Sequence, residues 1–406
     1  MTTAPSERWS QPDGRGFLAA CAAAGGFLVA WGLVHRWFWA HGQLVDTPTY
    51  REYGEAIRHG LVPYRDFAVE YPPGALPAFV LPTFLGSSYA AAFAWSMAAC
   101  GVATVLVVAA VSWRAAAYAA FLPVLVGSHV LSRFDLWPTL LAVAALAALW
   151  HERDRLGWAV LGIAIAAKIW PAVLLPLALA WTWRRRGRRE AALCAGLLTA
   201  VLVAVFVPFL VLAPHGVWES VRGQADRPLQ IESLGSALLI VAGDARGVAT
   251  SHGSQNLVGP HADTAAAILP LLQAASLAAL WAGFARGRRT RDDLLRFAAA
   301  SVCAFVAFDK VFSPQYLIWL VPLVPLVRGR RGLAAAAALA AALVLTQVWF
   351  PLRYWRFVDL DRGIAGVVLA RDLVVVALLV LLAWPEPQTS TGSRTSRHAV
   401  ARPSAP

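Results

Sequence analysis

Apolar residues run through this chain in long blocks separated by short polar punctuation. The first block covers 17–34. Others follow at 88–112, 115–131, 136–150, 156–168, 170–183, 190–213, 264–285, 294–308, 315–327, 333–350 and 366–384. A helix needs about 20 such residues to cross a bilayer, and helices satisfy their own backbone polar groups where lipid offers no water. The blocks 156–168 and 170–183 are too short for that, at about 13 or 14 residues each. Arg flanks both outer ends of this pair, so it should enter and return, turning at Lys168-Ile169-Trp170-Pro171. The same shape recurs around Arg133-Phe134-Asp135 and around Asp309-Lys310. Charge and irregular backbone at membrane depth are tolerated only beside protein or a wet cavity. The three turns are therefore expected to line one cavity that opens outward. The predicted fold is all-α: a polytopic membrane protein with about 10–13 transmembrane helices, short broken or re-entrant ones included.

Composition agrees with the pattern. The 406 residues are 59% hydrophobic and only 14% charged, against about 25% charged in soluble domains. Eighteen Trp, many beside Arg or Pro at block ends, suit the headgroup belts. The net charge of +12 is not a nucleic-acid signature, because the arginines fall in short runs at 184–189, 286–291 and 328–331, between apolar blocks. Such spacing is what the positive-inside rule produces in cytoplasmic loops. Alternating from a cytoplasmic amino terminus puts most Lys and Arg inside and most acids outside. That assigns 1–15 to a cytoplasmic amino terminus and 16–384 to the transmembrane domain, with outer loops at 35–87 and 214–263. A polar, disordered tail at 385–406 returns to the cytoplasm. The first block is read as a retained helix, since no small-x-small site precedes His35-Arg36-Trp37. Cys21, Cys100, Cys194 and Cys303 lie inside apolar blocks without ligand spacing and read as packing residues.

Candidate chemistry collects in the outer segments. Asp46 stands before Thr47-Pro48-Thr49-Tyr50, at the entrance of a short amphipathic helix with Tyr50, Tyr53 and Ile57 in a stripe, which reads as lying on the membrane. Asp46 is either a helix cap or a functional carboxylate. The following segment brings Tyr64, Arg65, Asp66, Glu70 and Tyr71, a mixture suited to sugar hydroxyls and phosphate. The sharpest signal is lysine usage. The sequence has two lysines, Lys168 and Lys310, among 35 Lys and Arg, and both fall at outer turns. A compact ammonium is a good point-charge partner for phosphate; the bland alternative is snorkelling, or for Lys310 pairing with Asp309. Arg133, Asp135, Gln315 and Tyr316 add polar groups to the same turns.

Taken in order, Asp46…Tyr50, then Pro63-Tyr64-x-Asp66-Phe67-x-x-Glu70-Tyr71-Pro72-Pro73, Arg133-Phe134-Asp135, Lys168-x-x-Pro171 and Lys310-x-x-Ser313-Pro314-Gln315-Tyr316 resemble glycosyltransferase family 87, over roughly residues 16–384. That family belongs to the GT-C superfamily and includes actinobacterial polyprenyl-phosphate-mannose-dependent α-mannosyltransferases and a related arabinofuranosyltransferase. The resemblance implies a GT-C fold in a bacterial plasma membrane and an acidic catalytic base in the first outer loop, the position of Asp46. It also implies a polyprenyl-phosphate sugar donor and an envelope glycolipid or glycan acceptor. Mannose is the expected sugar, arabinofuranose the alternative; a lipid-linked sugar flippase is the competing class. In the expected chemistry Asp46 takes the proton of the acceptor hydroxyl, while Lys168, Lys310 and Arg133 stabilise the departing phosphate. Tyr50, Tyr64, Arg65, Asp66, Glu70, Tyr71, Asp135, Gln315 and Tyr316 are the expected sugar and acceptor contacts. No cofactor or divalent metal is expected, and no nucleic acid.

Overall fold

A computed structural model describes residues 14–38, 45–86, 88–287 and 290–384. The expected amino-terminal segment, but for its last two residues, and the tail at 385–406 lie outside the described residues. The described residues are predominantly helical, with a single two-stranded hairpin among them. Among the described residues, six helices are long and apolar enough to cross a membrane: Gly16–Trp37, Tyr89–Ala109, Arg188–Leu212, Ala262–Arg286, Gly329–Trp349 and Arg362–Ala383.

Between them sit the shorter segments, and local chemistry explains each break. The helix Asp154–Ala167 ends where Lys168 turns extended, at φ −159° and ψ 142°. Pro171, four residues past Ala167, has no N–H with which to carry the helix on. A 3₁₀ turn, Trp170–Leu174, then starts the return helix Leu175–Arg186. Residues 113–132 form three pieces, Trp113–Ala120, Leu122–Val126 and His129–Ser132, broken at Gly127 (φ 73°) and ending at the extended Arg133. Pro314 opens another broken run, Pro314–Leu326. The turns expected at 133–135, 168–171 and 309–316 are all present, each interrupting helical structure.

The first outer segment forms the expected helix, Thr47–Arg58, with Tyr50 and Tyr53 buried. Its apolar stripe packs on protein, and not on lipid as the amphipathic pattern suggested. Tyr50 stacks on Phe79 at 4.6 Å and meets Phe134 edge-on at 5.7 Å. The second outer segment holds elements the apolar pattern did not announce: helices Pro214–Ala225 and Leu234–Ala242, and a hairpin of Gly247–Ser251 with Ser254–Val258. Its two-residue turn, His252-Gly253, has positive φ at both positions, as the twist of a tight hairpin demands.

The arginine-rich loops gather with Glu152, Asp154 and Glu190. Glu152 pairs with Arg186 at 3.2 Å and Arg291 at 2.7 Å, and Arg155 pairs with Glu190 at 2.7 Å. Exposed pairs of this kind add little stability; their use here is as a marker of orientation. A reporter fused after Arg189 or Arg331 should read cytoplasmic and one inside 214–263 extracytoplasmic. A cytoplasmic reading for 214–263 would overturn the side on which every candidate site residue is placed.

Candidate active site

A cavity of about 830 Å³ lies where the broken segments meet the stretches 45–72 and 221–254. Of the residues singled out from sequence, it is lined by Asp46, Glu70, Tyr71, Arg133, Lys168, Lys310, Gln315 and Tyr316. Segments far apart in the chain thus contribute to one wall. Tyr50 and Asp135 are buried immediately behind it.

Asp46 precedes the helix Thr47–Arg58, but its side chain makes no capping hydrogen bond. The carboxylate instead pairs with the guanidinium of Arg133 and accepts a 3.4 Å hydrogen bond from the Tyr50 hydroxyl. The capping alternative therefore does not describe this carboxylate, which is turned into the cavity. Arg133 is largely buried, and burial pulls its guanidinium down to about 10 while Asp135 and Glu232 oppose the shift. It stays cationic at neutral pH.

Lys168 is held in an aromatic and acidic cradle. Its Nζ donates to Asp135 Oδ1 at 2.6 Å, and the same oxygen accepts from Trp319 Nε1 at 2.7 Å. The ammonium also lies 4.8 Å from the Phe134 ring centre, 5.2 Å from that of Trp319 and 5.6 Å from that of Tyr316. Trp170 stacks on Trp319 at 4.8 Å and braces the cradle. Burial lowers the lysine's pKa and Asp135 opposes that shift. Such an arrangement fixes a point charge at the cavity wall.

At the third turn the Lys310 Nζ donates to the Ala225 carbonyl at 2.8 Å. Asp309 accepts the Val311 N–H at 3.0 Å, and burial pushes its carboxyl up to about 7. Ser313 accepts a 3.0 Å hydrogen bond from Gln230, which also donates to Glu232.

Several residues at this site carry no signal in the apolar pattern. Arg227 and Glu232 line the cavity, from a polar stretch with no periodicity to mark them. Burial raises the Glu232 carboxyl to about 7 against the pull of Arg371 and Arg133. Behind it Arg371 is fully buried. It donates to the Glu232 carbonyl at 2.7 Å, pairs with Asp372 at 2.7 Å and lies 3.9 Å over the Phe312 ring. An Arg-Asp pair inside an apolar span was the available signal, since ionisable groups at membrane depth are functional candidates by default.

Tyr64, Arg65 and Asp66 do not join the cavity. They line a neighbouring groove of about 460 Å³, which shares Glu70 and Gln224 with it. Asp66 is engaged locally: Arg65 at 2.9 Å and the Val62 N–H at 2.7 Å hold it below the usual carboxylate range.

The cavity therefore combines the carboxyl groups of Asp46, Glu70, Glu232 and Asp309 with the cations Arg133, Lys168, Arg227 and Lys310 and with aromatic faces. A sequence model of glycosyltransferase family 87 matches residues 69–314. No curated protein matches the chain. Among solved structures, ArnT from Cupriavidus metallidurans bound to undecaprenyl phosphate is similar at 16% identity, covering 91% of this chain and 77% of that one, with a TM-score of 0.48.

Proposed function

This chain belongs to glycosyltransferase family 87, and on that premise we propose that it moves a sugar, mannose first, from a polyprenyl-phosphate donor to an envelope glycan or glycolipid hydroxyl on the outer face of a bacterial membrane. The observation that carries the proposal is the shared cavity: Asp46 stands in it with Arg133, Lys168, Arg227 and Lys310. A donor phosphate seated among those cations departs as an anion that they stabilise. The acceptor oxygen attacks the anomeric carbon, the bond from that carbon to the phosphate oxygen breaks, and the hydroxyl proton passes to the Asp46 carboxylate. The lipid phosphate keeps the bonding electrons. With fixed cations already at the leaving group, the step calls for no divalent metal.

The Arg133–Asp46 pair gives the order of events a physical basis. While paired, the carboxylate is a poor base, because a guanidinium favours its ionised form. A donor phosphate competes for Arg133 and leaves Asp46 free for the acceptor. Polyprenyl-phosphate mannose and polyprenyl-phosphate arabinose, each radiolabelled and supplied with an envelope-lipid extract to the reconstituted protein, test the reading. Label should enter a glycan from the mannose donor, with or without EDTA. Label crossing the bilayer without a new glycosidic bond would favour a flippase and sink the reading.

A further inference from the structure

The groove beside the cavity takes no part in the step described above. Its floor is the segment 64–70 and its far wall is the helix Pro214–Ala225, with His252 of the hairpin turn at one end. The two walls approach closely because of Gly216, where a Cβ would overlap the Tyr64 carbonyl. Tyr64 itself adopts a left-handed backbone, φ 68°, which is uncommon for a bulky side chain. Its N–H donates to the Phe67 carbonyl at 2.9 Å and its hydroxyl to the Tyr71 carbonyl at 2.6 Å, so the strained conformation is fixed from both sides. Strain of this kind persists where surroundings over-determine it and is concentrated at binding sites.

The groove connects to the cavity across a tied ridge. Gln224 donates to the Glu70 carbonyl at 3.2 Å, and Arg227 reaches from the cavity to Gln224 at 3.3 Å and to the His252 carbonyl at 2.9 Å. Its lining is more acidic than the cavity's, where four carboxyl groups stand with four Lys and Arg. Asp66, Glu70 and Glu219 outnumber Arg65, the one Lys or Arg in its lining. An excess of carboxylates disfavours an anionic headgroup, and carboxylate oxygens are good acceptors for sugar hydroxyls.

We propose that this groove is the acceptor subsite: it seats a neutral oligosaccharide whose end hydroxyl passes over Glu70 and Gln224 into the cavity toward Asp46. The assignment rests on the transferase reading for its purpose, but binding tests it without turnover. Gly223 lines the groove, and a Cβ built there meets no atom within 4 Å. A side chain can therefore start at Gly223 without meeting its neighbours at Cβ, and Gly223→Trp places an indole in the groove.

Calorimetry on the full chain in lipid nanodiscs, with mannotetraose, an arabinofuranosyl tetraose and, as an anionic control, glycerophosphoinositol, reads the effect. At least one neutral tetraose should bind the wild-type protein, and Gly223→Trp should weaken that binding about tenfold or more. Glu219→Gln, at an exposed helical position, should weaken it about threefold, the worth of one hydrogen bond. Equal affinity in wild type and both groove variants, no binding of either tetraose, or preference for the anionic control would each overturn the proposal. Failure of the transferase reading shows separately, as absence of donor turnover in a protein that still binds the tetraose.

Discussion

Asp46→Asn should lower transfer by about 10²–10⁴-fold while leaving expression and donor binding in place. An amide keeps the shape of the side chain and one oxygen for the Tyr50 hydroxyl, now 3.4 Å away, and for Arg133. It cannot accept the acceptor's proton. The variant does not lose a helix cap, because the Asp46 side chain makes no capping bond. A fall in rate therefore reports the missing base and not a frayed helix. Steady-state transfer with a thermal melt on the same preparation checks it. A well-folded variant that retains substantial transfer would remove Asp46 from the chemistry and move attention to Glu70, which lines the same cavity.

Lys168→Ala should cost about 10²–10³-fold in transfer, the typical loss when one charge-stabilising donor is removed from a dry site. This variant has a second effect that must be separated. Asp135 is 1% exposed and would lose its ammonium partner; an uncompensated buried charge destabilises by about 3–5 kcal/mol. The Trp319 N–H would remain as its donor. The double variant Lys168→Met with Asp135→Asn removes both charges, so its thermal stability should recover most of the loss. Transfer should not recover, because the cation facing the donor phosphate is still missing. Recovery of both in the double variant would mean that Lys168 serves only to neutralise Asp135.

Much of the architecture was legible because lipid leaves a chain few options. Blocks of apolar residues must become helices, and the long ones did so at nearly the expected bounds, as in Tyr89–Ala109 and Arg188–Leu212. The breaks were legible from Pro171, Pro314 and the charges beside them. The polar outer loop was not: Pro214–Ala225, Leu234–Ala242 and the hairpin are short, and partial burial against other segments blurs any period. Lys168 was found by its rarity, but its partner Asp135 and the rings around it are set by packing between separate segments. Arg371 and Asp372 were passed over because an apolar average across Arg362–Ala383 conceals two adjacent charges that bury each other. The separation of Tyr64, Arg65 and Asp66 from the cavity follows from a left-handed turn at Tyr64, a conformation no tyrosine announces in sequence.

On the proposed function, this protein breaks a sugar–phosphate bond on a lipid carrier and makes a glycosidic bond with the same sugar. Purified protein in nanodiscs is given polyprenyl-phosphate [¹⁴C]mannose and an envelope glycolipid acceptor, and product and released lipid are both quantified by mass spectrometry. One polyprenyl monophosphate should be released per labelled sugar joined to acceptor, with no transfer from a nucleotide-linked mannose. Transfer from the nucleotide donor alone, or release of lipid phosphate with no new glycosidic bond in the presence of acceptor, would contradict that function.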